Sequence, residues 1–279
     1  MSVRIIVDST ADLMPAAKER VMVVPLTVHF GEEEFIDGVT MSQQQFYEKL
    51  VETDVMPSTS QANPESFERL YREVTAAGDS AVVLAIASGL SGTCQSAMIA
   101  AADYDNIHVV DTASVAIGSG ILAEYALRLV DEGLEAAAIA ARLNEVKSRI
   151  HVIAMVDTLE YLWKGGRLSR TAAVAGGLLN IKPVLAIIDG EIKVLGKARG
   201  SRQANNLLVS EIAKAGGVDF DMPVLLGYTG LSDALLTKYI EDSSALWAES
   251  RTELNSTIIG SVIGTHAGPG AVAVAFFAK

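Results

Sequence analysis

The stretch Ser88-Gly89-Leu90-Ser91-Gly92-Thr93 offers the first chemistry in this 279-residue chain. It stands between a short apolar run, Ala81 to Ala87, and an Ala-rich stretch without a breaker, Cys94 to Ala102. The run reads as a strand buried on both faces and the Ala-rich stretch as a helix. A Ser/Gly turn leading into a helix presents unpaired backbone N–H groups and short hydroxyls at the positive end of the helix dipole, which suits an anion. The plainer alternative is that Ser91 or Thr93 only caps the helix. A second hydroxyl cluster, Pro57-Ser58-Thr59-Ser60-Gln61-Ala62-Asn63-Pro64, precedes an amphipathic helix over Glu65 to Ala76. Asn63 as cap and Pro64 at the first helical position account for that helix start. They leave Ser58, Thr59 and Ser60 without a task.

Two further positions are cationic or titratable. Gly196-Lys197-Ala198-Arg199-Gly200 puts two cations in a turn after a hairpin, and Gly264-Thr265-His266-Ala267-Gly268-Pro269-Gly270 sets a histidine in a Gly-rich loop. A lone histidine is usually structural, but this loop leaves His266 little regular structure to pack in, which favours a ligand role.

Other chemistries find less support. Gly118-Ser119-Gly120-Ile121-Leu122-Ala123 fits the dinucleotide pattern but falls inside an expected helix, so it reads as helix packing. No phosphate-binding G-x-x-x-x-G-K-[ST] loop occurs, and the four histidines, His29, His108, His151 and His266, lack the spacing of metal ligands. Gly89-Leu90-Ser91-Gly92-Thr93 approaches a nucleophile elbow, with Thr93 in place of the second glycine. A serine acyl hydrolase with Ser91 as nucleophile, His266 as base and Asp8 as orienting acid is therefore the rival reading. Cys94, in the first turn of a helix, reads as a small buried residue rather than an activated thiol.

These residues must be held by elements that the chain can build. Half of the residues are apolar and 6% aromatic, so the core is made of Ala, Val, Ile and Leu. A net charge of −12 disfavours nucleic acid and anionic membranes as partners. One cysteine excludes an internal disulfide and fits a reducing compartment. The start of the chain does not resemble a signal peptide and no run reads as a membrane span, so a cytoplasmic protein is expected.

The order of elements suggests two domains. Strands near Arg4–Val7, Val21–Val24, Ala81–Ala87, Ile107–Val110 and His151–Val156 alternate with helices, which predicts a parallel sheet in an α/β domain over 1–157. Ser9 or Thr10 with Asp12 reads as the start of a helix over Pro15 to Arg20, and a hairpin excursion interrupts the domain near 26–38. Ser42 with Gln45 predicts a capping box. Beyond Thr158, hairpins mix with helices, including a small-residue helix over Ala172 to Leu179, a hairpin about Asp189-Gly190 and a strand over Thr257 to Val262. A C-terminal α+β domain over 158–279, packed closely on the first, is the expectation.

The motifs taken together carry a resemblance. Asp8-Ser9-Thr10-Ala11-Asp12-Leu13, Pro57-Ser58-Thr59-Ser60-Gln61, Ser88-Gly89-Leu90-Ser91-Gly92-Thr93, Gly165-Gly166-Arg167-Leu168-Ser169, Asn180-Ile181-Lys182-Pro183, Lys197-Ala198-Arg199 and His266-Ala267-Gly268-Pro269-Gly270 occur in that order over the whole chain. The set resembles the DegV family, bacterial fatty-acid-binding proteins that act as the lipid-carrying subunit of fatty acid kinase. The resemblance implies one long acyl chain buried between two domains, with Thr59 and Ser91 on its carboxylate. Ser60, Gly92 and Thr93 would be further members of that site, and Arg199 and His266 would stand near the place where an acyl phosphate forms. It also implies no catalytic residue and no cofactor in this chain, and a separate ATP-dependent kinase subunit as partner. A lipid sensor or store without a kinase is the third reading. Ala62 replaces a proline common in the family, with little consequence expected. Arg167 fits either a partner surface or a cation beside its own helix's C-terminal carbonyls.

Overall fold

A computed structural model gives the structure of the chain over residues 2–173, 180–250 and 253–279. Four apolar runs, β1 (Val3–Asp8), β2 (Val21–Val24), β6 (Ser80–Ala85) and β7 (Ile107–Asp111), form an all-parallel sheet in the order β2-β1-β6-β7. Central β6 is apolar on both faces because helices cover both. Ala81, Val83 and Ala85 pack with Phe67 and Tyr71 of α3 (Pro64–Ala76) and Cys94 and Ala97 of α4 (Thr93–Ala101). Val82 and Leu84 pack with Ile121 of α5 (Ile117–Asp131) and Ile139 and Leu143 of α6 (Ala136–Val146). The hairpin excursion is β3 (Thr27–Phe30) and β4 (Glu33–Ile36), to which β5 (Ser58–Ser60) adds as a third antiparallel strand.

The expected capping box forms on α2 (Gln43–Glu52), with Ser42 and Gln45 each capping the other's backbone N–H, and Asn63 caps α3. The start of α1 (Pro15–Lys18) differs from expectation. Its N-cap is Met14, without a side-chain cap, because Ser9 Oγ accepts from Leu26 N–H and Thr10 Oγ1 donates to Asp8.

The second sheet holds β8 (Ile150–Met155), β9 (Ile181–Ile188), β10 (Glu191–Arg199), β11 (Leu225–Tyr228), β12 (Ser256–Ile258) and β13 (Val272–Phe277), in the order β10-β9-β8-β13-β11-β12. All neighbours are antiparallel except β11 and β12. Two expectations are corrected here. The strand at His151 pairs with β9 and β13 rather than extending the parallel sheet. Lys197 and Arg199 lie within β10, paired to Pro183 and Ile181, rather than in a turn. The β9–β10 hairpin does turn at Asp189 and Gly190, with φ of 52° and 74°, as the Asp-Gly signal requires.

Strand alternation gives this sheet two different faces. Ile153, Met155, Val184, Ala186, Val274 and Phe276 pack against α9 (Gly200–Lys214), α10 (Ala234–Asp242) and α11 (Ser244–Trp247) through residues such as Leu208, Tyr239 and Trp247. Val152, Ala154, Leu185, Ile187 and Ala273 face the other way, toward α5 and the first sheet, in one continuous core. Gly118 and Gly120 let α5 lie close: a Cβ would collide with Ser114 and Val152 at the first and with Asp12 at the second. The reading of that glycine pattern as helix packing fits.

Short helices complete the molecule: α7 (Glu160–Lys164), α8 (Arg170–Ala173) and α12 (Ser261–Ala267). Beyond Ala173, the helix expected over Ala172 to Leu179 lies outside the described residues. The strand expected over Thr257 to Val262 stops at Ile258, and Ser261 begins α12. His266 is therefore on a helix and not in a loop. Among the described residues no helix is long and apolar enough to cross a membrane.

Candidate functional site

Between the inner face of the six-stranded sheet and the first sheet's loops lies an apolar cavity of about 880 Å³, counting the open space at its mouth. Its wall follows strand periodicity: Val152, Ala154 and Val156 from β8 and its end, Leu185 and Ile187 from β9, and Ala271 and Ala273 at β13. Alanine at Ala154, Ala271 and Ala273 leaves room that larger side chains would fill. Ile259 just before α12, Val262 and Ile263 from its start, and Leu162 from α7 line it too.

Polar side chains on this lining are few: Thr59, Gln61, Ser91, Arg167 and His266. Thr59 is the middle residue of β5, paired to Val28, so strand pairing fixes its backbone. Its Oγ1 lies 2.9 Å from His266 Nε2. His266 is 9% exposed, and its Nδ1 is buried without a partner. A tautomer protonated at Nε2 orphans a lone pair rather than an N–H at Nδ1, the cheaper arrangement. Nε2–H then donates to Thr59 Oγ1, and the Thr59 proton is free for a ligand. Burial, helped by the Arg167 charge, pushes the His266 pKa down to about 4, so the ring is neutral at pH 7.

Ser91 ends the turn before α4. Its Oγ accepts from Thr93 N–H at 3.2 Å and lies 2.9 Å from Thr93 Oγ1. Thr93 Oγ1 in turn accepts from Ala62 N–H at 3.3 Å. Thr93 can therefore give its proton to Ser91, which leaves the Ser91 proton free toward the cavity. The Ala62 N–H, which a proline would lack, is the donor at this end of the chain of hydroxyls.

The turn after α7 supplies the cation. Arg167 donates from Nη1 to Gly165 O at 2.7 Å and from Nε to Leu90 O at 3.3 Å. It thus bridges its own helix end to the Ser91 turn while lining the cavity. A Cβ at Gly165 would collide with the His266 ring, and one at Gly268, where φ is 70°, with Tyr161. These glycines let α7 and α12 meet at the histidine.

The structure brings Thr59, Ser91 and His266 to one cavity and places other candidates elsewhere. Thr93 is buried beside Ser91 and acts through it. Gly92 packs under Gln61, where a Cβ would collide. Ser60, exposed, bonds His29 at 2.8 Å, because alternation along β5 turns it away from Thr59. Arg199 is not on the cavity lining; it is exposed at the end of β10, where its N–H is bonded by Gln203. Sequence reasoning missed Arg167 as the cavity's cation, although Gly165-Gly166-Arg167 was among the motifs.

The hydrolase arrangement is not formed. Ser91 and His266 are each bonded to other hydroxyls. Both Asp8 oxygens are engaged by Thr10 and by Ile86 N–H, the latter at 2.7 Å. Burial pushes the Cys94 thiol up to about 11, as for an inert core residue. Among the described residues no group of three His, Cys, Asp or Glu is placed to hold a metal.

Comparison with known proteins agrees over the full length. The DegV family model matches residues 2–279. A DegV domain-containing protein of Caldanaerobacter subterraneus subsp. tengcongensis is 35% identical, with 99% of each chain covered. A fatty-acid-binding DegV family protein of Thermus thermophilus superposes with a TM-score of 0.88 at 30% identity, covering 100% of both chains. The Streptococcus pneumoniae Fatty Acid Kinase (Fak) B3 protein, solved with linoleic acid, has the same fold, with a TM-score of 0.86 at 22% identity and 100% of both chains covered. With a matching family model, a relative in that family and a shared fold, the chain belongs to the DegV family.

Proposed function

We propose that the chain binds one long-chain fatty acid, its tail in the apolar cavity and its carboxylate among Thr59, Ser91, Arg167 and His266. The single observation that carries this reading is an apolar cavity whose few polar side chains are a guanidinium, two hydroxyls with protons to give, a neutral histidine and the Gln61 amide. Donors from separate elements converging on one place suit an anionic head group, and the sheet wall suits a hydrocarbon. The fatty acid binding of the Thermus thermophilus protein supports it.

We further propose that a separate ATP-dependent kinase subunit phosphorylates the bound carboxylate. Arg167 neutralises charge on the carboxylate, and Thr59 and Ser91 hold its oxygens in place. The sequence supports this division because it has no nucleotide-binding motif. The test is acyl-phosphate formation from protein loaded with fatty acid, ATP and the kinase subunit of the same cell. Acyl phosphate is expected only when all three are present. Its absence would leave a lipid sensor or store.

A further inference from the structure

The segment Asp8–Leu13 is a motif for which the acyl cavity has no use. Asp8 braces its own turn and the residue that follows β6, Ile86. Asp12 does something else. It is 4% exposed; its Oδ1 accepts from Gly260 N–H at 2.8 Å, while its Oδ2 is buried with no partner. Asp12 lines a second cleft, of about 1390 Å³ counting the open space at its mouth, together with Ser9, Asp37, Gln43 and Lys18. Ile258 and Gly260 also face this cleft, whereas Ile259 between them lines the acyl cavity. One strand-like segment is thus the partition between two cavities.

An unpaired buried carboxylate oxygen is costly, and the cost is relieved by a donor that brings positive charge. Burial first, and then the neighbouring Asp37 carboxyl, itself 6% exposed, disfavour the charge of Asp12 and push its pKa well above the usual carboxylate range. Lys18, the cation that faces the pair, is itself exposed. Two carboxyls without a third ligand do not make a metal site among the described residues. We propose that this cleft binds an organic cation with N–H donors, a primary ammonium or guanidinium group, with Asp12 Oδ2 as acceptor and Asp37 as second negative group. The group comes either from a free polyamine or from a basic side chain of another protein. The proposal is independent of the fatty acid reading.

The test follows the Gly260 and Asp12 amide signals of the ¹⁵N-labelled full chain by NMR at constant ionic strength. Spermidine and an acetylated Gly-Arg-Gly amide are the probes, and tetramethylammonium, which has charge but no donor, is the control. A saturable shift with spermidine identifies the free amine as the source, and one with the peptide identifies the side chain. Asp12→Asn keeps the acceptor for Gly260 and is expected to weaken either probe about tenfold or more, as loss of a charged hydrogen bond implies. Asp37→Asn is the second variant should the first not fold. Three results would each overturn the proposal: no saturable shift with either probe, an equal affinity for tetramethylammonium, or an unchanged affinity in the Asn variants.

Discussion

The two ends of the apolar cavity are built in different ways. Its wall is one face of a sheet, where every second residue faces the cavity, all of them apolar and three of them alanine. Its polar end is assembled from a three-residue strand, a turn before a helix, a turn after a helix and a short helix. Their energies differ as well. Burial of a sixteen-carbon tail is worth roughly 10 kcal/mol before binding costs, at about 0.8 kcal/mol per CH₂. A hydrogen bond to a charged group is worth about 1.5–3 kcal/mol. On the proposed reading, the wall therefore decides whether lipid stays, and the polar end decides how its carboxylate is held.

The largest effect should come from the wall. Ala273→Phe would displace about four methylenes, or about 3 kcal/mol, and weaken fatty acid binding about a hundredfold. A calorimetric titration giving the parent affinity would show that the tail lies elsewhere. A comparable effect on stability should come from pH at the other end. The unfolded histidine titrates near 6.5 and the buried one near 4. Above 6.5 both states are neutral. As pH falls toward 4 the unfolded state alone takes up the proton, and about 3 kcal/mol of stability is lost across that window. His266→Gln should flatten this slope in denaturant titrations, and fatty acid loading should raise the imidazole pKa, because a carboxylate favours the charged ring. A His266 pKa that ignores loading would put the carboxylate away from it.

Arg167→Gln should weaken fatty acid binding by about ten- to a hundredfold and leave a fatty alcohol of equal length nearly unaffected, since only the acid carries the charge. Arg199→Gln should change neither affinity; if it matched Arg167→Gln, the cation would have been misassigned. The smallest effects on binding belong to Thr59→Val and Ser91→Ala, at about 1.5 kcal/mol each, the low end for a hydrogen bond to a charged group. Acyl-phosphate yield with the kinase should fall much further than lipid content. Equal loss of both would dissolve the division between holding and presenting.

What was legible in the sequence follows from how local each signal is. The capping box at Ser42, the Asn63 cap and the Asp189-Gly190 turn rest on neighbours in the chain, and they formed as expected. The hydroxyl at Thr59 stood out because the helix start after it is accounted for by Asn63 and Pro64, whereas Ser91 stood beside a helix start that it could also have capped. Other features depend on contacts far along the chain. The run Ser58–Ser60 has no apolar pattern, yet becomes a strand by pairing with β3. Gly264 looked like loop material, but a Cβ there would collide with Phe46 and Tyr47, so the glycine permits a helix to pack closely. Arg167 and Arg199 are equally cationic in sequence, and only the meeting of α7 with the Ser91 turn separates them. The strand at His151 obeys the rhythm of the first sheet, but its partners are in the second.

The central claim, one fatty acid held by its tail, is tested most directly by native mass spectrometry of the purified protein followed by organic extraction. The account predicts one co-purifying fatty acid per chain, lost in Ala273→Phe and retained in Ser91→Ala. A protein that is empty on purification and still empty after incubation with long-chain fatty acids would contradict it.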